Sequence, residues 1–324
     1  MKKEFFNDAP IVIKKFLGYF QTIKGKSRKT VEEYFLDLRT FFRYMKRKRG
    51  KVSAEIEFEK IDICDIDINF IKTISLIDVF EFMNYLSTER KNSEAARARK
   101  ASSLRVFFKY LTDKTNELSE NPLTELETPK LKKTVPKFLS LEQSQTLLKT
   151  ISENGGEFKD RDFCIITLFL NCGLRLSELV GININDVRPD NTLKIFGKGA
   201  KERVVYINSA CKKSIDDYLK VRPNDGIKDK KALFISRQKN RISVKTVQLL
   251  VNKYLSLAGL SGLGYSTHKL RHTAATLMYQ YGDVDIRVLK DILGHENLGT
   301  TEIYTHISNK QVKNAIDSNP LNKI

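Results

Sequence analysis

Residues 191–208 read NTLKIFGKGAKERVVYIN, two runs of β-branched and apolar residues on either side of a short segment with two glycines. Such a pattern predicts a strand, a turn and a second strand, with Lys198 in the turn. Here the apolar period changes from helical spacing to alternation, and the change decides the fold class: mainly α with a small β-sheet. To its amino-terminal side, 160–179 (DRDFCIITLFLNCGLRLSEL) predicts a buried helix and a second helix beginning near Gly173, and SLEQSQTLLKTI predicts a helix that starts at Ser140. On its carboxyl-terminal side, 243–259 (SVKTVQLLVNKYLSLAG) predicts a helix capped by Ser243 and ended by Gly259.

The first third of the chain is helical by the same test. Val12, Phe16, Tyr19 and Ile23 recur at helical spacing, as do Val31, Tyr34, Leu38, Phe41 and Met45. Ser27 or Thr30 caps the second of these helices, with Glu32 and Glu33 in its first turn. Helices over 75–90 and 93–113 complete a four-helix unit, and the alternating acidic and apolar residues 54–69 (AEIEFEKIDICDIDIN) read as a surface insertion. Three prolines among polar residues follow. The expected organisation is therefore a helical domain over 1–120, a linker over 121–137 and a second, mostly helical domain over 138–324.

Fifty-seven Lys and Arg against 39 Asp and Glu give a net charge of +18, a field that attracts polyanions. Nucleic acid is the first expectation and an anionic membrane surface the second. The clusters KGKSRK (24–29), KRKRGK (46–51) and RARK (97–100) at helix starts and ends favour nucleic acid. The longest strongly apolar run, FCIITLFL, is too short to span a bilayer, and the amino terminus lacks the apolar core of a signal peptide. The expected location is the cytoplasm, with no membrane partner. Cys64, Cys164, Cys172 and Cys211 show no paired spacing and read as reduced, mostly buried thiols.

All four histidines lie between positions 268 and 306. In STHKLRHTAATLMYQYG (266–282), a helix capped at Ser266 or Thr267 places His268, Arg271 and His272 on one arc, with Leu270, Ala274, Leu277 and Tyr281 turned toward the core. A zinc site fits poorly, because the sequence has no HExxH and no cysteine pair, and arginines interleave the histidines.

These segments resemble the tyrosine site-specific recombinases, in particular their Xer-type and phage-integrase-like members. GLRLSEL is similar to that family's first arginine box, FGKGAKERVV to its lysine hairpin, STHKLRH to its His-x-x-Arg box and LGHENLGTTEIYTH (293–306) to its nucleophile box. KSRKTVEEYFLDLRTFF and RARKASSLRVFFKYL are similar to its core-binding domain. The resemblance implies a two-domain recombinase with a four-helix core-binding (SAM-like) domain and a catalytic domain. It implies catalytic positions at Arg175, Lys198, His268, Arg271, His295 and the nucleophile Tyr304. His272 and His306 fall outside that set and are expected to pack or bond at helix ends. The implied activity is breakage and rejoining of DNA through a 3′-phosphotyrosyl intermediate, with no cofactor, metal or ATP. The implied partners are double-stranded recombination sites, two of them held by a homo- or hetero-tetramer, with the tail after Tyr304 passed to a neighbouring protomer. Xer-type resolution of chromosome dimers is the first expectation. Alternatives are integration or excision of a mobile element, a type IB topoisomerase, and a noncatalytic DNA-binding protein.

Overall fold

The computed structural model of the chain describes residues 9–127, 137–197, 202–282 and 284–294. It divides into two compact units, Met1–Lys133 and Thr134–Ile324, each with its own apolar core. The described residues are mostly helical, with one small sheet.

The first unit contains α1 (Ile11–Thr22), α2 (Arg28–Lys48), α3 (Ile68–Lys72), α4 (Leu76–Thr88) and α5 (Glu94–Asp113). Val31, Phe35, Leu38, Phe42 and Met45 bury one stripe of α2. Aromatic rings fill the centre: Phe16 meets Phe107 edge to face at 5.2 Å, and Phe41 meets Phe82 at 5.1 Å. Ser27 caps α2 by accepting from the Thr30 amide at 3.3 Å. The expectation of acidic residues in the first turn is corrected, because the helix already begins at Arg28. Glu32 therefore sits one turn further on and pairs with Arg28 at 2.7 Å.

Residues 54–60 lie at the surface as expected, with Ile56 40% exposed, but 61–69 depart from the expected insertion. Their apolar members Ile61, Ile63 and Ile66 are buried, and Asp67 caps α3 by accepting from the Phe70 amide at 2.8 Å. The alternation is that of a segment with one face on the core, so the unit has a short fifth helix. The segment expected to connect the domains likewise begins inside the first core, where Leu123 and Leu126 are buried.

The second unit contains α6 (Leu141–Asn154), α7 (Lys159–Cys172), α8 (Leu176–Gly181), β1 (Thr192–Phe196), β2 (Glu202–Tyr206), α9 (Ser209–Val221), α10 (Val244–Leu257), α11 (Thr267–Tyr281) and α12 (Ile286–Leu293). Ser140 and Gln143 form a capping box at the start of α6. Helix α7 is buried almost all round, against α6, α9 and α11. The strands pair antiparallel from Thr192↔Tyr206 to Phe196↔Glu202, with Leu193, Ile195 and Val205 in the core. Helix α12 docks on α11 through Ala275, Leu289 and Leu293. Cys164, Cys172 and Cys211 are buried free thiols, the last two with sulfurs 3.7 Å apart, and Cys64 is exposed. Among the described residues no helix is long and apolar enough to cross a membrane.

Candidate active site

Helix α7 ends at Gly173, whose left-handed φ of +57° disfavours any side chain. A Cβ there would also lie 2.9 Å from Leu293 Cδ2. The turn delivers Arg175 to the N-cap of α8. There its backbone N–H donates to Glu178 Oε2 at 2.7 Å and its Nη1 donates to Glu178 Oε1 at 2.8 Å. The remaining fork nitrogen, Nη2, donates to the Gly294 carbonyl at 2.8 Å.

Arg271 comes from α11 and is 3% exposed. Its Nη1 donates to the Gly173 carbonyl at 2.6 Å and its Nη2 to the Leu293 carbonyl at 2.7 Å, with Glu178 Oε2 3.9 Å away. His268, one turn earlier, lies on the exposed side of the same helix, and its Nε2 is 3.0 Å from His272 Nε2. Partial desolvation of the His268 ring, and then the positive charges of Arg271, Lys269 and Arg175, hold its pKa below the ordinary histidine value, which favours the neutral imidazole. Arg175, His268 and Arg271 line one recess of about 280 Å³, together with Leu174, Leu176, Ser177 and Thr267.

The predicted arc on α11 is thus partly corrected. His268 and Arg271 do line the same recess, but Arg271 is buried beneath the end of α12 rather than presented on a polar face. Tyr281 is 64% exposed, because it lies at the last turn of α11 beyond the apolar contact with α12. Ser266 occupies the N-cap without a capping side-chain hydrogen bond. Lys198, His295 and Tyr304 lie outside the described residues, as do His306 and the tail.

Two residues of this site escape sequence reasoning. Glu178 is fully buried at its side chain and meets Arg175, Arg203 (3.1 Å) and Arg271. Burial alone would raise its pKa. The Arg175 amide, the Arg203 charge and the hydrogen bonds of both guanidiniums outweigh that and hold it below the usual glutamate value. Its signal in the sequence is its place three residues after Arg175, where a glutamate reaches back to the N-cap amide. Arg203, on β2, carries no such signal. It pairs with Glu178 and also donates to the Ile292 carbonyl.

Three guanidiniums from three separate elements thus hold three consecutive carbonyls, those of Ile292, Leu293 and Gly294, at the carboxyl end of α12. A helix end with free carbonyls and a negative dipole favours cations there. Among the described residues, three positive charges share one carboxylate, a local excess of two. That excess suits a phosphodiester, whose single negative charge grows as a nucleophile attacks phosphorus.

A model of the phage integrase family matches residues 137–311, more than half of the chain. The chain is 53% identical to the tyrosine recombinase XerC of Caldanaerobacter subterraneus subsp. tengcongensis over 314 residues, 97% of this chain and 88% of that one. It is 34% identical to the tyrosine recombinase XerC of Thermodesulfovibrio yellowstonii over 319 residues, 96% and 97% of the two chains. Among solved structures, it shares the fold of the XerH site-specific recombinase in a post-cleavage complex with palindromic difH substrate. That match has a TM-score of 0.71 and 22% identity over 94% of this chain and 83% of that one. It shares the fold of lambda integrase in a tetramer bound to a Holliday junction, with a TM-score of 0.63 and 15% identity over 90% and 76% of the chains. The chain belongs to the phage integrase family of tyrosine recombinases. Its activity is Xer-type site-specific recombination, the breaking and rejoining of DNA.

Proposed function

We propose that Arg175, Lys198, His268, Arg271, His295 and Tyr304 form the catalytic set of this recombinase. The observation that carries the reading is the convergence of Arg175, His268 and Arg271 on one recess that holds an excess of positive charge. Arg175 and Arg271 would clamp the nonbridging oxygens of the scissile phosphate with forked donors. A tyrosine hydroxyl, with a pKa near 10, becomes a useful nucleophile when its proton is removed as it attacks. His268, held neutral, takes that proton directly or through a water. Tyr304 Oη then bonds to phosphorus, the bond from phosphorus to the 5′ oxygen breaks, and Lys198 protonates the departing 5′ hydroxyl. His295 donates to a nonbridging oxygen. The resulting 3′-phosphotyrosine conserves the energy of the broken bond, so a 5′ hydroxyl from a second strand reverses the step without ATP.

The proposed setting is a homo- or hetero-tetramer on two DNA recombination sites in the cytoplasm, acting in resolution of chromosome dimers. High identity to proteins called XerC along nearly the whole chain supports that role over integration of a mobile element. Tyr304→Phe tests the chemistry: no covalent protein–DNA complex should form on a nicked suicide substrate, while duplex binding stays within about twofold, because the change removes one oxygen. A covalent complex that persists in this variant refutes Tyr304 as nucleophile. Genomic mapping of bound sites tests the role, with one site near the replication terminus expected and sites at element ends pointing to an integrase.

A further inference from the structure

The clamp arginines and the end of α12 are joined to the hairpin by Arg203. This side chain, 18% exposed, leaves β2, pairs with Glu178 at 3.1 Å on one fork nitrogen and donates to the Ile292 carbonyl with the other. The fit is close on the helix side: a Cβ on Gly294 would lie 3.1 Å from Arg203 Cδ and Nε, and Gly294 has a φ of +63°. Arg203 therefore spans three elements that are distant in sequence, namely the strand that follows Lys198 by a few residues, the helix that carries Glu178, and the helix that ends just before His295.

The three elements do not depend on Arg203 equally. The end of α12 keeps Arg271 on Leu293 and Arg175 on Gly294 when Arg203 is removed, and Glu178 keeps Arg175. The hairpin, by contrast, loses the guanidinium that joins it to both. Among the described residues its remaining ties are the bridge of Leu193 to Val187 and the Arg188 amide on the Thr192 carbonyl, both toward the end of β1 away from Lys198, and the apolar contacts of Leu193, Ile195 and Val205 with the core. Such contacts hold a strand in place without fixing its direction toward a charged site.

We infer that Arg203 is a positioning residue that registers the Lys198 hairpin against the clamp, so that its loss falls on protonation of the leaving group and not on binding of phosphate. The inference rests on the catalytic set proposed above. A lysine cannot replace it, because one ammonium group on a flexible stem does not span both Glu178 and the Ile292 carbonyl as a planar fork does.

The test is single-turnover cleavage by the full-length protein on suicide substrates with either oxygen or sulfur at the 5′ bridging position, since a thiolate departs without a general acid. Arg203→Ala and Arg203→Lys should each slow cleavage of the oxygen substrate by roughly 10- to 100-fold, part of what a general acid supplies. On the sulfur substrate the deficit should shrink to less than about threefold, and Arg203→Ala added to Lys198→Ala should cost no more than about threefold further, because both changes strike one step. Equal losses on the two substrates, multiplied losses in the double variant, or full activity of Arg203→Lys would overturn the inference. A merely structural role lowers the melting temperature and slows both substrates alike. If Lys198→Ala alone is not rescued by sulfur, the reading of Lys198 as general acid fails. Rescue of Arg203→Ala would still place Arg203 at the leaving-group step.

Discussion

In the amino-terminal unit the buried carboxylate Asp37 is met by Arg99 at 2.6 Å, Lys100 at 2.9 Å and Ser103 at 2.7 Å. In the carboxyl-terminal unit the buried Glu178 is shared by three guanidiniums. The two sites look alike until the charges are added. Arg99 also pairs with Glu33 at 2.9 Å, so two cations face two carboxylates and the cluster is neutral. Lys48 and Arg49 likewise meet Asp78, with Glu81 completing a neutral group. Around Glu178, among the described residues, the count is three to one. Buried pairs in balance hold helices in register, whereas a buried excess of cations costs free energy unless an anion arrives. The first arrangement is architectural and the second waits for a phosphate.

The sharpest way to break this comparison is to remove members of each site and read cleavage separately from stability. Arg271→Ala should give the largest effect, a loss in single-turnover cleavage of about 10²-fold or more, the scale for a donor aimed at developing charge. A rate within threefold of wild type would mean that the clamp is misassigned.

Glu178→Gln comes next. Its side chain is fully buried and its partners would lose their counter-ion, so stability should fall by about 3–5 kcal/mol, as when one member of a buried ion cluster is removed. Cleavage at a temperature where the variant is folded should fall as well, because Arg175 loses the carboxylate that orients it. The pKa of Glu178 is depressed, so its contribution to wild-type stability is present above the unfolded glutamate value near 4.3 and is lost as pH falls through the lower folded value. Chemical denaturation of both proteins from pH 7 down to pH 3 should show the gap between them closing. A constant gap would mean that Glu178 acts through packing alone.

Asp37→Asn should also cost stability, by about 2–4 kcal/mol, because Arg99 and Lys100 lose a buried partner. Here the comparison predicts a contrast: cleavage by the folded variant should remain within about threefold of wild type. An equal loss of cleavage in Asp37→Asn and Glu178→Gln would erase the distinction between the two carboxylates.

The same contrast explains what the sequence made legible. The hairpin showed itself because alternation in NTLKIF and ERVVY differs from helical spacing, and Arg175, His268 and Arg271 showed themselves in compact motifs. Helical periodicity tells which side chains share a face but not what covers that face, so the burial of Arg271 under α12 was hidden. Glu178 and Arg203 were hidden for a related reason, since their roles depend on groups brought together from positions 175, 271 and 292 by tertiary packing. Ile61, Ile63 and Ile66 were misjudged because the acidic residues between them dominate the composition of that segment.

Basic runs were the least decisive signal, and they give the smallest prediction. KRKRGK reads as a phosphate-binding cluster, yet Lys46 is buried at 6% exposure on Asp65 at 2.7 Å and the Asp62 carbonyl at 2.9 Å, and Lys48 and Arg49 are occupied by Asp78. In KGKSRK, by contrast, Lys24, Lys26 and Lys29 are exposed. If the overall +18 charge serves DNA, the second run should carry phosphate contacts that the first cannot. Each phosphate neutralised contributes about −0.9 to the slope of log K against log salt. Replacement of Lys24, Lys26 and Lys29 together by Gln should therefore make that slope shallower by about 2 to 3. Lys46→Gln should leave the slope unchanged and instead lower the melting temperature, because it breaks a half-buried pair. The measurement is duplex affinity at several salt concentrations. A slope that shifts with Lys46→Gln but not with the triple change would mean that the buried cluster opens on DNA, and that charge balance in the free protein is a poor guide to which cations bind it.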